Sequence, residues 1–271
     1  PEIISCSQAY HGSTIAAESL RSDDAFTRNF LPTIPGVRHI DFNQPEQLIK
    51  ITHHTACVIL EPVQAEGGII PPQDDYLKKV RQRCDETGTL LILDEIQTGF
   101  GRTGFMFAHQ KYNIIPDILL IAKGMGGGMP IGALVAKKSL MTELARNPAL
   151  GHITTFGGHP VCVAASLATL HILTSHPYIQ QVSEKETLLK SLLVHPMIKT
   201  IRSSGLMMAV ELQDNNNLTP VIDATIRNGV LIDYFLFDQA SIITQDQIRE
   251  GVQKIISAMD EVHASSEYKE M

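Results

Sequence analysis

The sequence predicts an α/β fold in which a mostly parallel sheet, covered by helices, is followed by a smaller α+β unit. Three observations predict this fold. Short, unbroken apolar runs, each typical of a strand buried on both faces, recur along the first half of the chain. Helical patterns long enough to serve as crossovers separate these runs. The chain has 271 residues, of which 44% are hydrophobic, so it can bury one large core and a smaller one.

The elements of the first half follow in a regular order. A strand is expected at residues 2–6 and a helix at residues 15–20, followed by a loop that runs to Ile40 and a short helix that begins at Pro45. Strands follow at residues 56–60, 90–93, 118–121 and 133–136. An amphipathic helix at residues 74–87 is ended by Gly88. Because the strands are separated by long connections, the sheet should be mostly parallel.

The pattern changes at Pro160, where a long apolar helix over residues 161–173 is expected to link two domains. A helix at 184–193, a strand at 206–212, a helix at 220–227 and a last helix from 245 to about 261 then predict the smaller α+β unit. The polar tail after Val262 is expected to fray. We therefore predict a large domain at residues 1–174 and a C-terminal domain at residues 175–271.

Composition excludes several classes of partner. A net charge of −7 and a pI near 5.9 leave no basic surface for nucleic acid. No apolar stretch approaches the roughly 20 residues of a membrane span, so no membrane association is predicted. The cysteines (Cys6, Cys57, Cys84 and Cys162) are scattered without metal-ligand spacing, which indicates reduced thiols in a cytoplasm and no metal site. A small-molecule ligand is favoured.

Two charged residues, Asp94 and Lys123, follow two of the apolar runs. In open α/β sheets the carboxyl ends of the strands are where ligands bind, so both side chains should face one crevice. Glycines follow Lys123, and they allow a planar ligand to approach the backbone closely. A neutral lysine is a nucleophile that forms a Schiff base with a carbonyl. The alternatives are a structural ion pair or a lysine that points to solvent; phosphate-loop patterns do not fit, because they place the lysine after the glycines.

A carboxylate beside a Schiff-base lysine is typical of pyridoxal 5'-phosphate (PLP), since the acid keeps the pyridine nitrogen protonated. Other residues are expected near the same crevice. In the turn after the Asp94 strand, Ile96 could press on a face of the cofactor ring and Gln97 could donate to the ring oxygen. Tyr10, at the end of the first strand, could stack on a planar ring. Two hydroxyls at a helix entry suit a phosphate. These candidates are Ile96 and Gln97, Tyr10 and His11, Thr154 and Thr155, together with the loop acids Glu61 and Glu66. An ordinary surface loop or helix entry explains each pattern as well when it is taken alone.

Five motifs in one order resemble the class III aminotransferases, which are PLP enzymes of fold type I that include the ornithine, acetylornithine and 4-aminobutyrate aminotransferases. The motifs are AYHG at 9–12, LEPVQAEGG at 60–68, LDEIQTGFGRTG at 93–104, AKG at 122–124 and TTFGGHP at 154–160. The resemblance extends from Ala9 to about Phe237. It implies the large PLP-binding domain of fold type I and a smaller C-terminal domain.

The resemblance also implies a role for each motif residue. Lys123 would form the internal aldimine with PLP and move protons, and Asp94 would pair with the pyridine nitrogen. Gln97 would contact the ring hydroxyl. Ile96 and Tyr10 would hold the two faces of the ring.

The remaining roles concern the edge of the site. Thr155, assisted by Thr154, would bind the phosphate of the neighbouring subunit's cofactor in a homodimer with shared active sites. Glu66 matches a gate residue that pairs with an arginine and releases it for 2-oxoglutarate. Glu61 would lie near the ring hydroxyl, and His11 belongs to the cofactor-binding set.

The activity that the resemblance implies is transamination of an ω-amino acid of the ornithine or acetylornithine type, with 2-oxoglutarate as acceptor. Two alternatives stay open: an aminomutase of the glutamate-semialdehyde kind, and a non-catalytic fold type I relative that serves as a binding subunit. The sequence departs from the family in two places. The N-terminal arm and the phosphate-binding turn that precede the first strand are absent, and residues 235–244 carry no arginine. We therefore expect these residues to be parts of a longer protein.

Overall fold

The computed structural model describes residues 1–146, 148–149, 152–233, 237–238 and 241–270, with the side chains of residues 237–238 and 266–270 left out. Within these residues the first half of the chain builds one six-stranded sheet in the order β2-β1-β3-β4-β5-β6. The strands are β1 (Glu2–Cys6), β2 (Val37–Ile40), β3 (Thr55–Leu60), β4 (Leu90–Asp94), β5 (Ile118–Ile121) and β6 (Ala133–Ala136). All neighbours are parallel except β5 and β6. The mostly parallel sheet agrees with the prediction.

Helices lie between these strands or follow the last of them. They are α1 (Ile15–Glu18), α2 (Asp24–Thr27), α3 (Tyr76–Thr87), α4 (Ala108–Lys111), α5 (Lys138–Glu143) and α6 (Pro160–Ser175). The main core lies between α3 and the central strands, where Val80 and Cys84 meet Ile4, Leu60 and Leu91. All five side chains are fully buried, as expected for unbroken apolar runs in a covered parallel sheet.

A second unit follows α6 and has its own core. Its sheet has the antiparallel order β7-β8-β9, and its strands are β7 (Ile198–Ser204), β8 (Met207–Leu212) and β9 (Phe237–Asp238). Its helices are α7 (Val182–Leu192), α8 (Leu218–Arg227) and α9 (Gln245–Glu270). Leu189, Val221 and Ile248 are among the buried residues that join these helices to β8. The domain boundary between residues 174 and 175 stays a prediction; it falls at the end of α6.

The turn of the β7–β8 hairpin forms one of the contacts between the two units. Gly205 lies against the backbone of Arg102 and Thr103, and the amide of Leu206 donates a 2.9 Å hydrogen bond to the carbonyl oxygen of Arg102. Nearby, a small buried apolar cluster joins β8 to the loop that follows β3. Its members are Val63, Ala65, Ile69, Met207 and Ala209. The hairpin therefore contacts two loops that begin at the carboxyl end of the large sheet.

Three local expectations were wrong. The loop that leads to Ile40 contains the edge strand β2, which is short and pairs with β1 alone. The strand β7 was not predicted, because its charged residues Lys199 and Arg202 interrupt the apolar pattern; both donate to Glu211 on β8. The tail after Val262 does not fray: α9 continues to Glu270, in a stretch without glycine or proline.

None of the helices in the described part of the chain is both long enough and apolar enough to cross a lipid bilayer.

We predict that Gly205→Ala destabilises the protein much more than Gly88→Ala. Both glycines have positive φ, +64° and +71°, so both substitutions carry the strain of the left-handed region, about 1–2 kcal/mol. A Cβ at Gly205 would also lie 2.6 Å from the Arg102 carbonyl oxygen, whereas a Cβ at Gly88 meets nothing within 4 Å. The extra cost should be about 1–3 kcal/mol. Urea unfolding of both variants measures it, and equal losses would contradict the tight contact.

Candidate active site

The carboxyl ends of four adjacent parallel strands surround a cavity of about 140 Å³. Each strand contributes the residues that follow it: β1 leads to Tyr10 and His11, β3 to Glu61, β4 ends in Asp94, and β5 leads to Lys123. Seven of the predicted site residues line this one cavity. They are Tyr10, His11, Glu61, Asp94, Ile96, Gln97 and Lys123. The sheet brings them together because parallel strands end at one edge.

Asp94 is the most firmly held acid of the cavity. Only 4% of the residue is exposed, and its carboxylate accepts a 3.0 Å hydrogen bond from the amide of Ile96. The other oxygen lies 2.8 Å from Nδ1 of His11, whose side chain is also buried. Since a carboxylate has about four acceptor positions, Asp94 keeps capacity for one further donor. Nε2 of His11 is buried and has no hydrogen-bond partner among the described residues.

Glu95, the next residue, anchors the turn from the opposite side. Successive side chains at a strand end point to opposite faces, so Glu95 points away from the cavity. It is fully buried and accepts four hydrogen bonds of 2.6–2.9 Å. The donors are the Thr98 hydroxyl, the Ala108 and His109 amides and Nδ1 of His109. The turn that carries Ile96 and Gln97 is thus fixed at both ends. The sequence interpretation missed this residue, although a second acid directly after a buried strand must face away from the first.

Lys123 stands where β5 ends and the chain reverses. Its φ is +44°, in the left-handed region that a side chain rarely adopts, and such strain is typical of functional positions. The side chain is exposed and lines both the 140 Å³ cavity and a neighbouring cavity of about 430 Å³, which it shares with Ile96 and Gln97. One glycine after it has a packing role: a Cβ at Gly127 would lie 2.1 Å from the Thr169 hydroxyl on α6.

Glu61 is a buried acid with little compensation. It is 4% exposed, and among the described residues it is supported only weakly, by a long 3.5 Å hydrogen bond from the Ala65 amide and by a smaller contribution from the Tyr10 backbone. Its second oxygen has no partner there. Burial, reinforced by the negative charge of Asp94, raises the pKa of Glu61 from 4.5 to about 8. At neutral pH this carboxyl therefore holds a proton and can donate a hydrogen bond into the cavity.

Three predicted residues lie outside the cavity. Glu66 lines a larger, open cleft of about 600 Å³ that shares Tyr10 with the cavity. Thr154 and Thr155 are exposed in the segment before α6 and line none of the cavities described above. Arg21, which the sequence interpretation also missed, lies in the open cleft with Glu66. No motif singles out Arg21, because it follows α1 in an ordinary polar stretch.

Comparison with known proteins identifies the family. The model of the family "Aminotransferase class-III" matches residues 1–259. The chain belongs to the class III aminotransferases. This result confirms the resemblance that the five motifs indicate, and with it the α/β fold type I architecture and PLP as the cofactor of the family.

Solved structures of this family share the fold. An ornithine aminotransferase from Toxoplasma gondii, described with partial occupancy of PLP, matches 97% of this chain with a TM-score of 0.89 and 31% identity. An amine transaminase from an uncultivated Pseudomonas species, in its PLP-bound form, has a TM-score of 0.87 and 25% identity over 96% of the chain. An (S)-enantioselective omega-transaminase from Thermomicrobium roseum has a TM-score of 0.84 and 28% identity, also over 96%. The present chain spans 65%, 70% and 68% of these proteins, respectively, which is just under two thirds for the Toxoplasma enzyme.

The cavity fits the cofactor of this family. It combines an amine at Lys123 with a fixed carboxylate at Asp94, the two groups that a Schiff-base pyridine cofactor requires. Two buried polar atoms on its walls, Nε2 of His11 and Oε2 of Glu61, have no partner among the described residues. Such atoms are costly unless a polar ligand contacts them. These residues are therefore suited to bind PLP.

We predict that Glu61→Gln removes part of the pH dependence of stability. The raised pKa means that folded Glu61 holds its proton up to about pH 8, whereas the unfolded chain releases it near 4.5. The unfolded state then binds fewer protons between these values, so this group lowers the free energy of unfolding as pH rises from about 5 to 8. Glutamine mimics the neutral acid, so the free energy of unfolding of the variant should rise relative to that of the wild type from about pH 5 to pH 8.

Urea unfolding at pH 5, 6, 7 and 8 measures the difference for Glu61→Gln. Glu143→Gln, at an exposed position on α5, is the matched control and should keep the wild-type slope. A constant difference between Glu61→Gln and the wild type at all four pH values would mean that Glu61 is ionised in the folded protein.

Proposed function

We propose that this protein catalyses PLP-dependent transamination between an ω-amino acid of the ornithine or acetylornithine type and 2-oxoglutarate. The observation that carries the proposal is the single cavity that Lys123 and the buried Asp94 share at the carboxyl ends of parallel strands. The similarity to an ornithine aminotransferase and to amine transaminases supports an amine donor. The donor and the acceptor themselves are part of the proposal.

When bound, PLP supplies an aldehyde that attaches an amine and a protonated pyridine ring that accepts electrons released at the adjacent carbon. Asp94 would face the ring nitrogen and hold the proton there. The hydrogen bond from Ile96 and the contact with His11 fix the Asp94 carboxylate in one orientation, so it does not have to reorganise when charge develops. Ile96 and Tyr10 would bound the ring faces, and Gln97 and the protonated Glu61 would donate to the ring oxygen.

Lys123 would hold the cofactor in the resting protein and move protons during turnover. Lys123 lines both the cofactor cavity and the larger neighbouring cavity, so a substrate in either cavity could reach its amine. Once its amine is free, Nζ can take a proton from the reacting carbon and return it to another atom. Glu66, in the open cleft, is proposed as the gate for the acceptor.

We also propose a homodimer with shared active sites. Thr154 and Thr155 are exposed outside this chain's own cavity, a position compatible with binding the phosphate in a second subunit. The helix α6 that follows exposes Val161, Leu167 and Ile172, with 45–65% of each residue accessible, and apolar surface of this kind favours a protein partner.

We propose a cytoplasmic location as well. The four cysteines carry free thiols, which supports this location.

We predict that Lys123→Ala abolishes the visible absorption band of bound PLP and lowers turnover at least about a hundredfold, because no other amine lines the cavity among the described residues. Borohydride reduction and peptide mass spectrometry of the wild type should find the cofactor on the Lys123 peptide. Lys78→Ala, an exposed lysine on α3, is the control and should behave as the wild type.

Each contrary outcome has a separate meaning. Full activity in Lys123→Ala would refute the proposal. A folded dimer that takes up no PLP would favour the non-catalytic binding subunit. Turnover without consumption of 2-oxoglutarate would favour the aminomutase.

We predict that Asp94→Asn retains PLP but lowers turnover by about 10²–10³-fold, since a neutral amide cannot stabilise the protonated ring nitrogen. The amide oxygen still accepts from the Ile96 amide, and Nδ2 can donate to Nδ1 of His11 in the other tautomer of the ring, so the local fold should persist. Half-reaction kinetics and the absorption spectrum of the bound cofactor measure the loss. Asp85→Asn, whose native side chain is 66% exposed, is the matched control. Unchanged half-reaction rates in Asp94→Asn would exclude the ring-nitrogen role.

A further inference from the structure

Arg21 is a partly buried cation in the open cleft beside the cofactor cavity, and neither the family motifs nor the proposed mechanism uses it. Its side chain is 18% exposed. It lines the cleft of about 600 Å³ together with Tyr10, Asp23, Phe26 and Glu66. A cleft of this size, which shares Tyr10 with the cofactor cavity, is large enough for the distal part of a substrate.

Two aromatic rings and one buried acid hold the guanidinium of Arg21. It lies 4.0 Å from the ring centroid of Phe26 and 5.3 Å from that of Tyr10. Its NH1 atom is 3.5 Å from Oε1 of Glu18, a buried carboxylate whose second oxygen has no partner among the described residues. Contacts with aromatic rings do not use the N–H donors of a guanidinium, so the donors that are not directed at Glu18 can bind a ligand. The position of Arg21 is therefore fixed while most of its donors stay available.

Tyr10 connects Arg21 to the reacting centre. The ring of Tyr10 lines both the cofactor cavity, where Lys123 lies, and the open cleft, where Arg21 lies. Its hydroxyl contacts the Ser13 hydroxyl at 3.0 Å, which fixes the ring between the two spaces. A substrate whose amine reaches Lys123 can thus extend past Tyr10 into the cleft.

We propose that Arg21 binds the carboxylate of the substrate through its guanidinium edge. The ligand class is a carboxylate attached by a short chain to the reacting amine or carbonyl, as in an ω-amino acid or a 2-oxo diacid. Guanidinium and carboxylate match in a planar, two-bond arrangement that a neutral group cannot reproduce. The carboxylates of Glu66 and Asp23 in the same cleft would in turn attract an ammonium group next to the bound carboxylate. This assignment rests on the proposed transamination.

The first experiment measures binding without turnover. Calorimetric titration of the PLP-loaded protein uses glutarate, an unreactive diacid, and its neutral match glutaramide. We expect the wild type to prefer glutarate, and Arg21→Gln to weaken glutarate by about 10- to 100-fold while leaving glutaramide unchanged. Arg21→Lys keeps the charge without the planar edge and should fall between the two. Arg28→Gln removes an equal charge at an exposed site seven residues away and should bind as the wild type.

The second experiment compares two amine donors, 5-aminopentanoate and pentylamine. Arg21→Gln should raise the KM for 5-aminopentanoate and leave that for pentylamine unchanged. A purely structural role for Arg21 would alter both donors, so that result overturns the assignment. A wild type that does not bind glutarate more tightly than glutaramide overturns the assignment as well. So does an Arg21→Gln variant that binds glutarate as tightly as the wild type; if Arg21→Gln does not fold, Arg21→Lys is used for this comparison.

Loss of PLP uptake and of all turnover in the wild type instead refutes the proposed function. The glutarate titration is then repeated on the PLP-free chain, and the same outcomes decide the role of Arg21.

Discussion

The structure depends on two adjacent carboxylates that point in opposite directions where β4 ends. Asp94 faces the cavity and Glu95 faces the loop behind it. Burying two acids side by side is unfavourable unless each is matched by donors. Glu95 is matched by four hydrogen bonds from the chain itself, and Asp94 by two. Asp94, which can still accept a hydrogen bond, lines the cavity, and Glu95, which is fully matched, holds the loop. One strand end thus carries the chemical group on one face and the structural group on the other.

A third acid, Glu61, shares the cavity with Asp94, and the two differ in the way expected of neighbouring acids with different support. Asp94 accepts hydrogen bonds of 2.8–3.0 Å from His11 and Ile96, whereas Glu61 has a long contact from Ala65 and a smaller contribution from the Tyr10 backbone, and its pKa is raised. The site therefore combines a fixed carboxylate with a carboxyl group that keeps its proton at neutral pH. Asp94 can stabilise a positive charge on a ligand, and the protonated Glu61 can donate a hydrogen bond to it. Both residues lie at strand ends.

The sequence was sufficient for the parts of the fold that depend on burial. The apolar runs before Glu61, Asp94 and Lys123 correctly predicted strands and the edge at which seven site residues meet. The sequence was insufficient where strand pairing or tertiary contacts determine the structure. The strand β7 forms because β8 pairs with it despite its charges, and β2 because β1 offers an edge. Glu95 and Arg21 escaped notice because their significance lies in their partners: hydrogen-bond donors on α4 for one, two aromatic rings for the other. The roles of Thr154 and Thr155 stay predictions, since they concern a second subunit.

The β7–β8 hairpin ties the position of the C-terminal unit to the loops of the site. Its glycine touches the backbone of the loop that continues from Gln97, and β8 packs on the loop that continues from Glu61. Arg202 on β7 adds a 2.7 Å hydrogen bond to the carbonyl oxygen of Gly68, which lies in the second of these loops. A displacement of the C-terminal unit would therefore strain both loops and, through them, the residues at the strand ends from which they continue.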